Sequence, residues 1–337
     1  MQAVIMDAPR QVRVGQWEAR QPGEGEVLVR VRSVGVCAGD MYFYLGKNPY
    51  AVYPQVCGHE ISGVVESLGE GVRGLSAGDH VVVEPFIGCG RCYACRIGKP
   101  NCCRRLQIIG IHRPGGFAEY VLAPAQNLHK IPESLPFERA SLAEPIAIAV
   151  QASRRGQITA EDQVLVMGCG PIGLALIDVL SAKGVQVFAT DINPARLDAA
   201  AQLGARPLPG GEELPSRVSE LTEGDGMPVV IEATGNPQAM RQAVDLVAPG
   251  GRVVIVGLVP QGVDVPMPGL DFTRKEMTIL GSRASVNCFP EAIELLAGGK
   301  IRYADLATTF SLWDAPALFA DWAQHPGSVQ KAILRVD

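Results

Sequence analysis

The segment "DQVLVMGCGPIGLALIDVLSAKGVQVFATD", residues 162–191, limits the fold more than any other part of the chain. A short run of Val, Leu and Met reads as a strand buried on both faces, and the apolar helical stretch after it leads into a second such strand. Gly168, Gly170 and Gly173 form a GxGxxG turn at the junction of strand and helix. Glycines there let the backbone approach a pyrophosphate at the positive end of the helix. Asp191, eighteen residues after Gly173, closes the second strand and is placed to accept hydrogen bonds from ribose hydroxyls. It also repels a 2'-phosphate, and no basic residue follows it before Arg196, so NAD is expected rather than NADP.

The same alternation continues downstream. "NPARLDAAAQLGA" is a helix with Asn193 as N-cap and Pro194 at its first position. "PVVIEATG" and "RVVIVGL" are strands flanking the helix "NPQAMRQAVDLVAPGG", and "EMTILGS" adds another strand. This order specifies an α/β fold, a doubly wound parallel sheet with helices on both faces. Pro171, Ile172, Arg196, Thr234, Gly257 and Leu258 complete the expected cofactor-binding set.

The first 130 residues read differently, as short strands between glycine-rich turns: "EVLVRVRSV", "ISGVVESLG", "GDHVVVEP" and "GFAEYVLAP". An irregular, barrel-like β domain is expected, and 337 residues suit two domains. The helix "FPEAIELLAGGK" and the strand "QKAILRV" read as a tail returning to that first domain, with a cleft between the two. The boundaries expected are 1–145 with 283–337 for the β-rich domain and 146–282 for the doubly wound one.

A net charge of -5 gives no electrostatic footprint for nucleic acid or an anionic membrane. Asp7 and Arg10 interrupt the N-terminal apolar stretch, and no run approaches the ~20 apolar residues that span a bilayer. A cytoplasmic protein is expected. Its nine cysteines are then poor candidates for a disulfide framework, and regular spacing among them points to metal. "CGRCYACRIGKPNCC" spaces Cys89, Cys92 and Cys95 as CxxCxxC, with Cys103 eight residues on and Cys102 beside it. Four thiolates in one loop close a tetrahedral zinc site of the structural kind.

Cys37, in "GVCAGDMYFYLG", and His59 with Glu60, in "GHE", are sparser signals. Alone, they read equally as a small buried hydrophobe and a turn histidine. In context "GHEISGVVESLGEGV" fits the pattern G-H-E-x2-G-x5-G-x2-V through Gly58, His59, Glu60, Gly63, Gly69 and Val72. With the cysteine loop, "GCGPIG" and Asp191 in matching order, the chain resembles the zinc-dependent medium-chain dehydrogenase/reductase superfamily over essentially its whole length. "NPYAVYPQVCGHE", "IGIHRPGGFAEY", "EATGNPQAM" and "GSRASVNCFP" look most like its sorbitol dehydrogenase-related branch, which includes L-galactonate and L-gulonate 5-dehydrogenases.

That resemblance implies a GroES-like catalytic domain, a Rossmann cofactor domain and a homodimer or homotetramer. It implies catalytic zinc held by Cys37 and His59, with Glu60 or Glu144, the latter from "LAEPIAIAV", as third ligand or water holder. Asp40 is expected to orient His59. The expected reaction is hydride transfer from a secondary alcohol of a sugar acid or polyol to NAD. A neutral-polyol or threonine-type dehydrogenase is the near alternative, and a non-catalytic NAD- and zinc-binding sensor the distant one.

Where many relatives carry a proton-relay hydroxyl two residues after the zinc cysteine, this chain has Gly39. Tyr42, Tyr44 or a water on a glutamate is left to move the proton, or else the tyrosines only shape the pocket. Arg283 is the candidate for a substrate carboxylate, with His112 and Asn287 as further substrate contacts or loop-ordering groups.

Overall fold

In "EVLVRVR" every second residue is valine, and the strand Glu26–Val36 that it opens buries Val27, Val29 and Val31 on one face. This strand is the spine of the first of two compact units, Met1–Pro145 with Val286–Gly299 and Ala304–Asp337; the second is Ile146–Ser285 with Lys300–Tyr303. The computed structural model describes residues 1–325 and 327–337.

In the first unit the strands of the main sheet run in the order Ala307–Ser311, Lys331–Arg335, Glu26–Val36, Glu60–Leu68, His80–Val83 and Leu128–Lys130, with Tyr120–Pro124 also paired to the spine. All pairs are antiparallel except the first, Ala307–Ser311 on Lys331–Arg335. The spine therefore has Glu60–Leu68 on one side and the C-terminal strand on the other. Ile61, Val65, Val81, Val83, Phe117 and Leu334 pack with the spine valines in one core. A helix that periodicity did not forecast, Ala38–Tyr44, follows the spine directly. It is only seven residues long, and its start is fixed by the Asp40 carboxylate accepting the Cys37 N–H at 2.9 Å. Gly46, at φ 71°, takes the left-handed turn just past its end.

The second unit is the expected doubly wound sheet. Its six strands lie in the order Arg206–Pro207, Gln186–Thr190, Gln163–Met167, Met227–Glu232, Val247–Ile255 and Thr278–Gly281, every pair parallel. Numbered along the chain this is 3-2-1-4-5-6, and the order reverses between the strands ending at Met167 and Glu232. Ligands of such sheets bind at that reversal, beyond the carboxyl ends of the strands. Asn193 and Asn236 cap their helices by accepting from the N–H groups of Ala195 (3.0 Å) and Gln238 (2.8 Å). Lys300–Tyr303 belongs here because the buried Asp178 carboxylate accepts the N–H groups of Arg302 (2.7 Å) and Tyr303 (2.6 Å). Among the described residues no helix is long and apolar enough to cross a membrane.

Candidate active site and metal centres

Cys37 immediately follows the spine strand and His59 immediately precedes its neighbour Glu60–Leu68, so the pairing of Gly35 with Glu60 brings the two loops together. Cys37 Sγ, a His59 ring nitrogen and a Glu60 carboxylate oxygen all lie within 4.8 Å of one another. His59 and Glu60 are buried and Cys37 is partly so. Gly35 explains how the carboxylate fits: a side chain there would begin 1.9 Å from Glu60 Oε2. Across the spine Lys331, 1 % exposed, sets its Nζ 2.5 Å from the Glu60 carboxylate and donates to the Val36 carbonyl at 3.0 Å.

Asp40, 2 % exposed, ties the two loops by their backbones, accepting the N–H of Cys37 at 2.9 Å and of Gly58 at 3.2 Å. Toward His59, the residue it is expected to orient, it makes an ion-pair contact rather than a hydrogen bond. The gap from its Oδ1 to His59 Nδ1 is 3.7 Å, beyond hydrogen-bond range, because the carboxylate is committed to the backbone. Glu144 is buried close enough to feel the charges of His59, Glu60, Cys37 and Lys331, and burial pushes its pKa up to about 8. Its oxygens fall outside the 4.8 Å cluster, whereas one of Glu60 lies within it.

These groups fit a divalent cation. Three carboxyls, Asp40, Glu60 and Glu144, are buried in this unit, and Lys331 is the one buried lysine among the described residues. His59 Nδ1 is buried with no hydrogen bond made to it. Burial, followed by the Glu60 charge, pushes the Cys37 thiol up to about 12. A metal would displace that proton on binding.

The cysteine loop forms the second cluster. Ligand sulfurs of Cys89, Cys92, Cys95 and Cys103 lie within 4.8 Å of one another, with 3.5 Å from Cys92 to Cys95 and 3.7 Å from Cys92 to Cys103. Four sulfurs at the usual ~2.3 Å from zinc are ~3.8 Å apart, so the cluster is already near tetrahedral size. Cys103 accepts N–H groups from Cys89 and Arg105, both at 3.3 Å, whereas Cys102 is exposed and outside the cluster. Backbone N–H groups, Cys95's foremost, pull the Cys92 thiol down to about 6.

In the second unit the glycine turn has the shape a phosphate needs. Gly170 caps the helix Pro171–Ala182, and a Cβ on it would meet nothing within 4 Å. A Cβ on Gly173 would sit 1.9 Å from Gly168 O, so only glycine lets the helix approach the strand this closely. Asp191 accepts the N–H of Cys169 at 2.7 Å and of Asn193 at 2.8 Å, fixing its carboxylate beside the turn, with Arg196 3.8 Å away. Thr234 packs on Gly168, held by Glu232, whose buried Oε1 accepts the N–H groups of Thr234 at 2.7 Å and Gly235 at 3.0 Å. Two apolar side chains at the same strand ends, Ile192 and Leu258, are 93 % and 89 % exposed.

With both clusters and the turn defined, the likeness to known proteins is informative. The profile of the alcohol dehydrogenase GroES-like domain matches residues 23–133, and that of the zinc-binding dehydrogenases matches residues 171–298. The starvation-sensing protein RspB of Escherichia coli K12 is 38% identical, covering 96% of this chain and 97% of its own. The chain belongs to the zinc-type alcohol dehydrogenase family. Another relative in this family, the L-galactonate-5-dehydrogenase of E. coli K12, is 38% identical over 92% of this chain and 91% of that protein. A crystal structure of an alcohol dehydrogenase from E. coli CFT073, complexed with NADH, superposes with a TM-score of 0.92 at 34% identity, covering 99% of both chains.

The remaining sequence-predicted residues of this zinc-type dehydrogenase are dispersed. Tyr42, 57 % exposed, lies one turn along the helix that Cys37 caps, whereas Tyr44 is core, its ring 5.5 Å from that of Phe319. His112 Nδ1 accepts the Ile108 N–H at 3.1 Å and its ring lies 5.7 Å from that of Tyr50, which orders its loop. Arg283 and Asn287 are exposed, Arg283 in the second unit after its last strand and Asn287 in the first unit. Lys331 and Glu232 went unread in the sequence. Each is a charge within or ending an apolar strand, where the only cue is that such a group must find a buried partner.

Proposed function

We propose that this dehydrogenase oxidises a secondary alcohol of a sugar acid or polyol, passing hydride to NAD. The observation that carries the reading is the buried Cys37, His59 and Glu60 set in a chain that also holds an open glycine turn beside Asp191. Cys37, His59 and Glu60 hold zinc, with Glu144 close behind them, and Asp40 keeps the two ligand loops in register. Bound there, zinc supplies Lewis acidity that makes an alcohol proton easier to lose near neutral pH. Cys89, Cys92, Cys95 and Cys103 hold a second, structural zinc.

Gly168, Gly170, Pro171, Ile172 and Gly173 cradle the pyrophosphate, and Asp191 takes the adenosine ribose. Arg196, Thr234, Gly257 and Leu258 line the cofactor, and the exposure of Leu258 suits an apolar face of that ligand. Tyr42 is the side chain assigned to shape the pocket or pass the proton outward. Arg283, with His112 and Asn287, is assigned to the carboxylate and hydroxyls of the substrate. We further propose a cytoplasmic homodimer or homotetramer, for which the partly exposed edge strand Thr278–Gly281 offers unpaired backbone groups.

Steady-state NADH formation by the zinc-loaded protein, with aldonates, neutral polyols and threonine, tests the reading. Highest kcat/KM on an aldonate or polyol is expected. Absence of turnover on all three, with zinc and NAD still bound, would favour the sensor that the name of one relative suggests.

Asp191→Ser tests the nucleotide preference. Charged hydrogen bonds of about 1.5–3 kcal/mol are at stake, so kcat/KM with NAD should fall about 10- to 100-fold while that with NADP rises. A variant that still prefers NAD by the wild-type ratio would count against Asp191 as the ribose reader.

A further inference from the structure

Three glycines lie around the Cys37 and His59 loops, and two of them are required by packing. A Cβ on Gly35 would meet Glu60 Oε2 at 1.9 Å, and one on Gly58, whose φ is +88°, would meet the Phe117 ring at 2.6 Å. Gly39 is different. It lies inside the helix Ala38–Tyr44 with an ordinary helical φ, a setting that favours almost any other residue over glycine. A Cβ there would find only Cys37 Sγ and His59 Cε1 within 4 Å, each at 3.8 Å, which is normal contact. Neither backbone nor packing asks for glycine. Its effect is to leave a space that touches two ligand side chains and, Gly39 being partly exposed, reaches the surface.

We propose that Gly39 is a specificity-determining position, its missing side chain leaving beside Cys37 and His59 a space that takes the hydroxyl next to the reacting carbon of a vicinal diol. The inference rests on the alcohol oxidation proposed above and narrows its substrate. A group touching Cys37 and His59 but not ligating is one or two bonds from the atom the ligand set holds. The space is bordered by sulfur, which accepts a hydrogen bond, and by a ring C–H; an incoming hydroxyl can donate to Cys37 Sγ, which a methyl group cannot do. An alanine methyl fills the same space without clash.

The test compares wild type, Gly39→Ala and Gly39→Ser, zinc-loaded, on 2,3-butanediol and on 2-butanol, which lacks the second hydroxyl. For Gly39→Ala, kcat/KM on the diol is expected to fall about 10-fold or more, the loss of one hydrogen bond plus the space for it, while 2-butanol changes less than about 3-fold. Calorimetric affinity for the diol should fall in parallel, with zinc content and Tm at or above wild type. Gly39→Ser, which brings its own hydroxyl, should narrow the gap by favouring 2-butanol. Equal changes on both alcohols, or no change on either, overturn the proposal, since a water-filled or idle space predicts them. If wild type oxidises neither of these, and no aldonate or polyol either, the alcohol oxidation fails instead. The calorimetry then still decides on Gly39: diol binding lost in Gly39→Ala supports it, and undiminished or absent binding overturns it.

Discussion

Lys331→Met is expected to lower the melting temperature of the metal-free protein by on the order of 10 °C, and adding Glu60→Gln should recover most of that loss. Lysine and methionine have nearly the same length, so packing in this 1 % exposed site changes little. What changes is the charge. Nζ lies 2.5 Å from the Glu60 carboxylate, and Glu60 is itself 1 % exposed. Removing one partner of a buried pair strands the other, at about 3–5 kcal/mol, whereas removing both charges can be nearly neutral. Zinc supplies the missing positive charge, so the zinc-loaded Lys331→Met protein should lose less than the metal-free one. Calorimetric melting of both forms measures this. An unchanged Tm in the single variant, or a double variant no better than the single, would mean that the pair does not hold the first unit together.

The doubly wound unit was legible because its three central strands are buried on both faces and read as largely apolar runs, each followed within a few residues by a glycine or a capping asparagine. Asn193 caps its helix where the sequence placed it, and Asn236, at the start of "NPQAMRQAVDLVAPGG", caps another in the same way. In the first unit the strands were legible but their order was not, since antiparallel neighbours come from distant parts of the chain. Lys331 shows the consequence. It lies 271 residues from Glu60, and only the spine strand, paired on both sides, brings them together. A local cue did exist: a glycine inside a strand, as Gly35 is in "SVGVC", signals the close approach of another group. Asp40 was found, but its partners were not, because a short buried carboxylate satisfies backbone donors first and their positions depend on the loop geometry. That Glu60 lies in the Cys37 and His59 cluster and Glu144 outside it likewise needed distances.

His59→Ala and Cys95→Ser should each remove one of the two proposed zinc ions, with opposite consequences. The Cys37, His59 and Glu60 set offers three ligands, which would leave a position open for substrate; the cysteine set offers four, which would leave none. His59→Ala should therefore keep a melting temperature close to wild type and lose turnover by at least about 10³-fold, the several kcal/mol that a Lewis acid supplies. In Cys95→Ser the loop from Cys89 to Cys103 has little else to order it. Of these four cysteines only Cys103 is buried, and the two helical segments between them have four and three residues. Protease cleavage within that loop and a lower Tm are expected, with activity falling as the fold is lost. Cys102→Ser, altering an exposed thiol outside the cluster, is the control and should retain both zinc ions. Metal content per chain, limited proteolysis and kcat/KM on the same preparations separate the roles. If Cys102→Ser loses a zinc while Cys103→Ser keeps both, the fourth ligand has been misassigned. If His59→Ala keeps full turnover, the reaction does not take place at this site.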